Sequence, residues 1–246
     1  MYKDIIVNRI GKSKHSFMIT NKIIREIYPN TNYKILLQNL IPLPKYENIQ
    51  YDIKYNYKES VPKFIDIPCV WLNDKKIKES DNNILGDFGT LITNSEIKVP
   101  INVATYHNVK YYNAELYNIY DTIEFRCNEP LILTHMYIGN DYVKDYLEDE
   151  KMGGGQYLEI HDRPHFHASL TSDIKGYYLL GKYFRNHLRL SAFFIPYHKA
   201  LYTPSFVIHS DSNLIGNWLV AYSKTDNYST VLLKDDKNKM TKIRFE

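Results

Sequence analysis

Cysteine is scarce in this chain, long apolar runs are missing, and neither sign of charge dominates. Only two cysteines occur in 246 residues, Cys69 and Cys127, far apart and without a CxxC pairing. Neither sits in a nucleophile context. Two reduced, buried thiols are the expected state, with a single bridge between them as the alternative. No window approaches the roughly 18 uninterrupted apolar residues that a membrane span needs. The start, Met1-Tyr2-Lys3-Asp4 and a short Ile/Val run, lacks the apolar stretch of a signal peptide. The expectation is a cytoplasmic protein with no membrane partner. Lys and Arg number 31 against 28 Asp and Glu, a formal charge of +3. That excess is small and scattered, whereas nucleic-acid binding needs a concentrated basic stripe. A Walker loop, a G-x-G-x-x-G after a strand and a G-x-S-x-G elbow are all absent.

What the chain does have is strand-forming residues. Hydrophobic residues make up 44% and charged residues 24%, enough for a core that folds without a staple. One helix is expected, around 21–27, ended by Pro29. The rest reads as short segments of Tyr, Ile, Val, Phe and Thr between Asn, Asp, Pro, Gly and Lys. Such segments lie at 33–37, 51–57, 97–105, 122–126 and 131–137. From Tyr157 onward they follow closely, at 157–160, 166–170, 177–180, 190–195, 206–208, 218–222 and 229–233. Regular short strands predict an all-β sandwich or barrel with few short helices. The polar stretches 73–81 and 147–155 read as surface loops. Gly153-Gly154-Gly155 closes the second, and without a following helix it reads as a bend into the next strand rather than a phosphate cradle.

The chemistry is concentrated in histidine. Six of the nine histidines fall between His161 and His209. On a strand, residues i and i+2 share a face, so His165 and His167 project together while Phe166 points the other way. Neutral imidazole is the commonest metal ligand, and two at this spacing can hold one ion.

The segment from His198 to Asn213 resembles the second motif of the cupin family, G-x5-P-x-G-x2-H-x3-N. Pro204, His209 and Asn213 match in register, while His198 and Phe206 replace the two glycines. The first cupin motif, G-x5-H-x-H-x3,4-E-x6-G, is matched at His165 and His167; Thr171 and Ser172 stand where its glutamate belongs. The resemblance covers about 155–222. It implies a double-stranded β-helix, a small jelly-roll barrel, over 151–246, with 1–150 as a β-rich region packed on the barrel or lending it strands. It also implies His165, His167 and His209 as ligands of a divalent metal (iron, zinc or manganese), with His161 as a reserve ligand. His161 ranks lower because a turn at 162–164 separates it from His165.

Glu159 is a candidate base near a metal-bound water, and Tyr202 a candidate substrate contact. Tyr157, Tyr178 and Trp218 are further candidates for lining a barrel mouth. Arg163 and Lys182 can bind an anionic substrate or remain solvated charges. His187 is expected at the surface, and His198 at a pocket rim or in a loop. His209-Ser210-Asp211 has the H-x-D spacing of 2-oxoglutarate oxygenases, but no histidine follows to complete that set. Asp211 is therefore read as capping a turn. The leading expectation is a metal-dependent enzyme acting on a small polar metabolite such as a carbohydrate, of isomerase, epimerase or dioxygenase type. A homodimer is compatible with it. The rivals are a non-catalytic cupin that binds a sugar or other metabolite, and a structural β protein whose histidines bind nothing.

Overall fold

Two facing, mainly antiparallel sheets are what the strand-rich segments build. The computed structural model describes residues 6–28, 34–40, 60–72, 90–94, 96–127, 129–223, 225, 228–237 and 239–246. The strand expected at 51–57 and the loop expected at 73–81 lie outside the described residues. Ten strands position the site: β1 (Asn8–Ile10), β2 (Phe17–Ile27), β3 (Leu131–Ile138), β4 (Tyr157–His161), β5 (His165–Ser169), β6 (Tyr178–Phe184), β7 (His187–Phe194), β8 (Lys199–Thr203), β9 (Ile208–Ser210) and β10 (Leu214–Tyr222). The first sheet runs β1-β2-β3-β10-β5-β8 and ends on Glu115–Asn118. The second runs Ile65–Pro68, β7, β6, β9, β4, Tyr228–Lys234, Thr90–Ile92, Val70–Leu72. Strands from before residue 150 thus belong to the same two sheets as those after it.

Four antiparallel pairs nest inside one another: β3 with β10, β4 with β9, β5 with β8, and β6 with β7. Two more antiparallel contacts, β10 with β5 and β9 with β6, join these pairs into the sheets.

Strand alternation divides the side chains into three layers. Between the sheets, Met18, Met136, Leu201 and Trp218 of the first meet Tyr157, Tyr178, Leu180 and Phe193 of the second. On the outer side of the first sheet, Phe166, Ala168, Leu219 and Ala221 pack with Ile123 and Phe125. Outside the second, Leu158, Leu179, Leu190 and Ile208 pack with Ile97, Val99 and Ile243. Both sheets are covered on both faces. This is why several strands read as nearly continuous apolar runs.

The helix expected at 21–27 is instead the second half of β2, and this corrects the sequence reading. The register of β2 against β3 skips Asn21 and Ile24, with shifts between His135 and Met136 and between Leu133 and Thr134. Each bulge resets the alternation. Ile23, Ile24 and Ile27 thereby imitate helical spacing on an extended strand. Helical structure among the described residues is limited to single turns at Leu37–Asn39, Val109–Tyr112 and Val143–Leu147. After the last of these, Gly154 (φ 70°) and Gly155 (φ 141°) turn the chain into β4. Both cysteines are free, and burial pushes the Cys69 thiol up to about 11. No helix among the described residues is long and apolar enough to cross a membrane.

Candidate metal centre

Inward-facing positions on β4, β5 and β9 converge on one point between the sheets. Glu159 and His161 are two apart on β4 and share its inner face. Glu159 stands directly opposite His209 in the β4–β9 register. The chain then turns a corner through Asp162–Pro164, leaving the second sheet and entering the first at His165. Three bonds hold this corner: the Phe206 N–H donates to the His161 carbonyl, Ser205 Oγ to the Asp162 carbonyl, and Thr225 Oγ1 to Asp162 Oδ1. His161 and His165 therefore face each other across the interior, their rings 4.3 Å apart. The reason given from the sequence for ranking His161 low, the intervening turn, is what brings the two together.

One donor atom from each of Glu159, His161, His165 and His209 lies within 4.8 Å of every other. His209 Nε2 is 3.8 Å and His161 Nε2 3.9 Å from Glu159 Oε2. His165 Nδ1–H donates to His209 Nε2 at 3.0 Å. Two ligands about 2.1 Å from an ion stand about 3.0 Å apart at a right angle and about 4.2 Å apart when opposite. The separations of 3.0, 3.8 and 3.9 Å lie in that range and no pair exceeds 4.8 Å, so the four donors fit a single small ion once the side chains adjust.

Hydrogen bonding aims the rings. His161 Nδ1–H donates to the Arg163 carbonyl at 2.6 Å, and His209 Nδ1–H to the Val207 carbonyl at 2.8 Å. A backbone acceptor on one nitrogen fixes the tautomer and leaves the lone pair on the other, the arrangement metal-bound histidines use. His161 Nε2 is buried and has no hydrogen-bond partner among the described residues. Burial, reinforced by neighbouring imidazoles, holds His165 well below the usual range and takes His209 down to about 3. Burial also lowers His161. Neutral imidazoles are the form that binds a cation. Burial, then the charge of Asp211, raises the Glu159 carboxyl.

His167 is in a different position from the other expected ligands. It is fully buried, and its Nε2–H donates to Asp211 Oδ2 at 3.1 Å. With His165 these two form a second, overlapping donor group. Burial alone would raise Asp211, but the His167 hydrogen bond and charge bring it below its ordinary value. Asp211 does shape a turn, since its carbonyl accepts from Leu214 N–H. Its side chain, however, points inward beside His209, a role the sequence reading did not give it.

Tyr202 is not in the cluster. It pairs with Phe166 in the β5–β8 register, on the outer face, where its hydroxyl accepts from the Arg126 N–H at 3.1 Å. Tyr178 stacks 5.9 Å from His209, and Trp218 donates its Nε1–H to the Ile215 carbonyl. Arg163 pairs with Asp162, and Lys182 lies over the Tyr111 ring. His187 is on the exposed face of β7, paired with Asp66. A cavity of about 470 Å³ opens away from the cluster, along Tyr106, His107, Tyr117, Tyr197 and Lys199, and contains none of the four donors. Arg9, which carried no sequence signal, reaches in from β1 and donates to the Tyr157 and Tyr142 hydroxyls at 3.0 and 3.2 Å.

The chain matches no protein-family model, and comparison with curated proteins and with solved structures likewise gives no match.

Proposed function

We propose that this chain is a metal-dependent, cupin-like jelly-roll enzyme acting on a small polar metabolite. The observation that carries the reading is the set of three neutral imidazoles and one carboxylate, with two of the rings locked so that Nε2 faces Glu159. Three nitrogens and one oxygen suit iron, manganese or zinc. An ion bound there supplies Lewis acidity to an oxygen of the ligand, the chemistry that isomerases, epimerases and dioxygenases share.

Two features of the fold support the cupin-like reading. A long antiparallel hairpin rolled into a barrel pairs its first strand with its last, its second with its seventh, and so on inward. The nested pairs from β3 and β10 down to β6 and β7 follow that pattern. The two motif positions where glycine is replaced both keep a glycine-like backbone, His198 at φ 74° and Phe206 at φ 64°. A left-handed conformation costs an ordinary residue roughly 1–2 kcal/mol. The acidic ligand, missing downstream of His167, comes from Glu159 on the preceding strand.

Within this reading the other residues have distinct work. Val207 and Arg163 carbonyls fix the ligand tautomers, and Asp211 anchors His167 behind them. Tyr157, two residues before Glu159 on the same face of β4, accepts a hydrogen bond from Arg9. The test is metal content of the purified full chain by mass spectrometry. About one ion per chain is expected, abolished in His161→Ala and retained in His167→Ala. A wild type that binds none, or a His161→Ala variant that keeps its ion, contradicts the proposal.

A further inference from the structure

We propose that this centre takes a ligand bearing a carboxylate, gripped by the guanidinium of Arg9; the inference rests on the metal reading above. Arg9 is half-buried near the cluster, yet among the described residues it has no carboxylate partner. Among the described residues its hydrogen bonds all come from Nη1, to Tyr157 Oη, Tyr142 Oη and Met18 Sδ. A guanidinium has five N–H donors in a rigid fork. Those on Nε and Nη2 have no partner among the described residues, and neither is sealed from solvent. Clamping two tyrosines needs only a point donor, whereas an open planar fork matches the two oxygens of a carboxylate.

Location and charge point the same way. Arg9 donates to the Tyr157 hydroxyl, and Tyr157 stands two residues before Glu159 on the same face of β4, which places the guanidinium beside the cluster. The Glu159 side chain keeps 17% of its surface exposed, and Arg9 and His165 are half-buried, so the cluster is reachable from this side. Two carboxylates set against one guanidinium and a divalent ion leave a single positive charge between the sheets. An enclosed net charge is costly, and one ligand carboxylate neutralises it. A small 2-hydroxy or 2-oxo acid meets both demands, with one oxygen for the metal and a carboxylate for Arg9.

The test titrates the cobalt(II)-loaded full chain with glycolate, ethylene glycol and inorganic phosphate, following the visible absorption of the ion. Glycolate should bind about 10–100-fold more tightly than ethylene glycol, the worth of one charge-assisted hydrogen-bond pair. Arg9→Gln should remove that preference while still holding one cobalt. Arg9→Lys, which keeps the charge and loses the fork, should retain part of it, and it carries the test if Arg9→Gln does not fold. Equal binding of glycolate and ethylene glycol, tighter binding of phosphate, or unchanged glycolate affinity in both variants overturns the inference and leaves the metal proposal standing. Failure of the wild type to take up cobalt overturns both.

Discussion

Replacing Glu159 by glutamine should stabilise the metal-free protein and weaken its metal site, so its stability advantage over the wild type narrows when metal is added. Burial beside Asp211 raises the Glu159 carboxyl. A group that titrates higher when folded than when unfolded loses stability for the fold as pH rises from its unfolded value of about 4.3 toward its folded one. Near neutral pH the metal-free wild type bears that cost, and glutamine, of the same shape and uncharged, does not. The expected gain is about 1–3 kcal/mol, each kcal/mol raising Tm by about 2–4 °C in a chain of this size. With metal a hundredfold above its Kd, the wild type gains about 2.7 kcal/mol, while a variant whose affinity is tenfold lower gains about 1.4 kcal/mol. Thermal denaturation by circular dichroism, with EDTA and then with zinc, measures both states. A Glu159→Gln protein that melts below wild type in EDTA, or that gains as much from zinc, refutes the reasoning.

Asp211→Ala leaves fully buried His167 without an acceptor and should cost about 2–4 kcal/mol in urea denaturation, with Asp211→Asn recovering part of it through its remaining oxygen. Tyr202→Phe removes the hydrogen bond to Arg126, so it should cost about 1 kcal/mol while metal content by mass spectrometry is unchanged. Acid should destabilise the metal-free chain. His161, His165 and His209 are all lowered in the fold, so the unfolded chain takes up protons first as pH drops below about 6.5. Each imidazole contributes up to about 1.4 kcal/mol per pH unit and Glu159 offsets one of the three, giving a net loss of about 2–3 kcal/mol per unit at its steepest in denaturation followed across pH.

Much of the β architecture was legible because alternation is a local property. The segment at 131–137 is β3 within one residue, and the opposition of His165 and His167 to Phe166 follows from strand geometry alone. The failures were non-local. Bulges in β2 are defined only by its pairing with β3, so the sequence of β2 by itself reads as helical. His161 looked misplaced because the turn after it was treated as taking it off the face, when the turn passes from one sheet to the other. The motif places its acidic residue after His167, whereas the acidic member of this cluster, Glu159, comes from the strand before. The inward direction of Asp211 depends on His167 across the interior, and Arg9 arrives from a strand some 150 residues away in the chain. Residues that share a site through sheet-to-sheet contact leave no spacing to read.

Diffraction from crystals of the metal-loaded chain, with anomalous data at the metal edge, tests the central claim most directly. The account predicts one anomalous peak between β4, β5 and β9, bonded to His161, His165, His209 and Glu159 at about 2.0–2.2 Å, with His167 still on Asp211. A peak held by His165, His167 and Asp211 with Glu159 and His161 unbound, or no peak between the sheets, contradicts it.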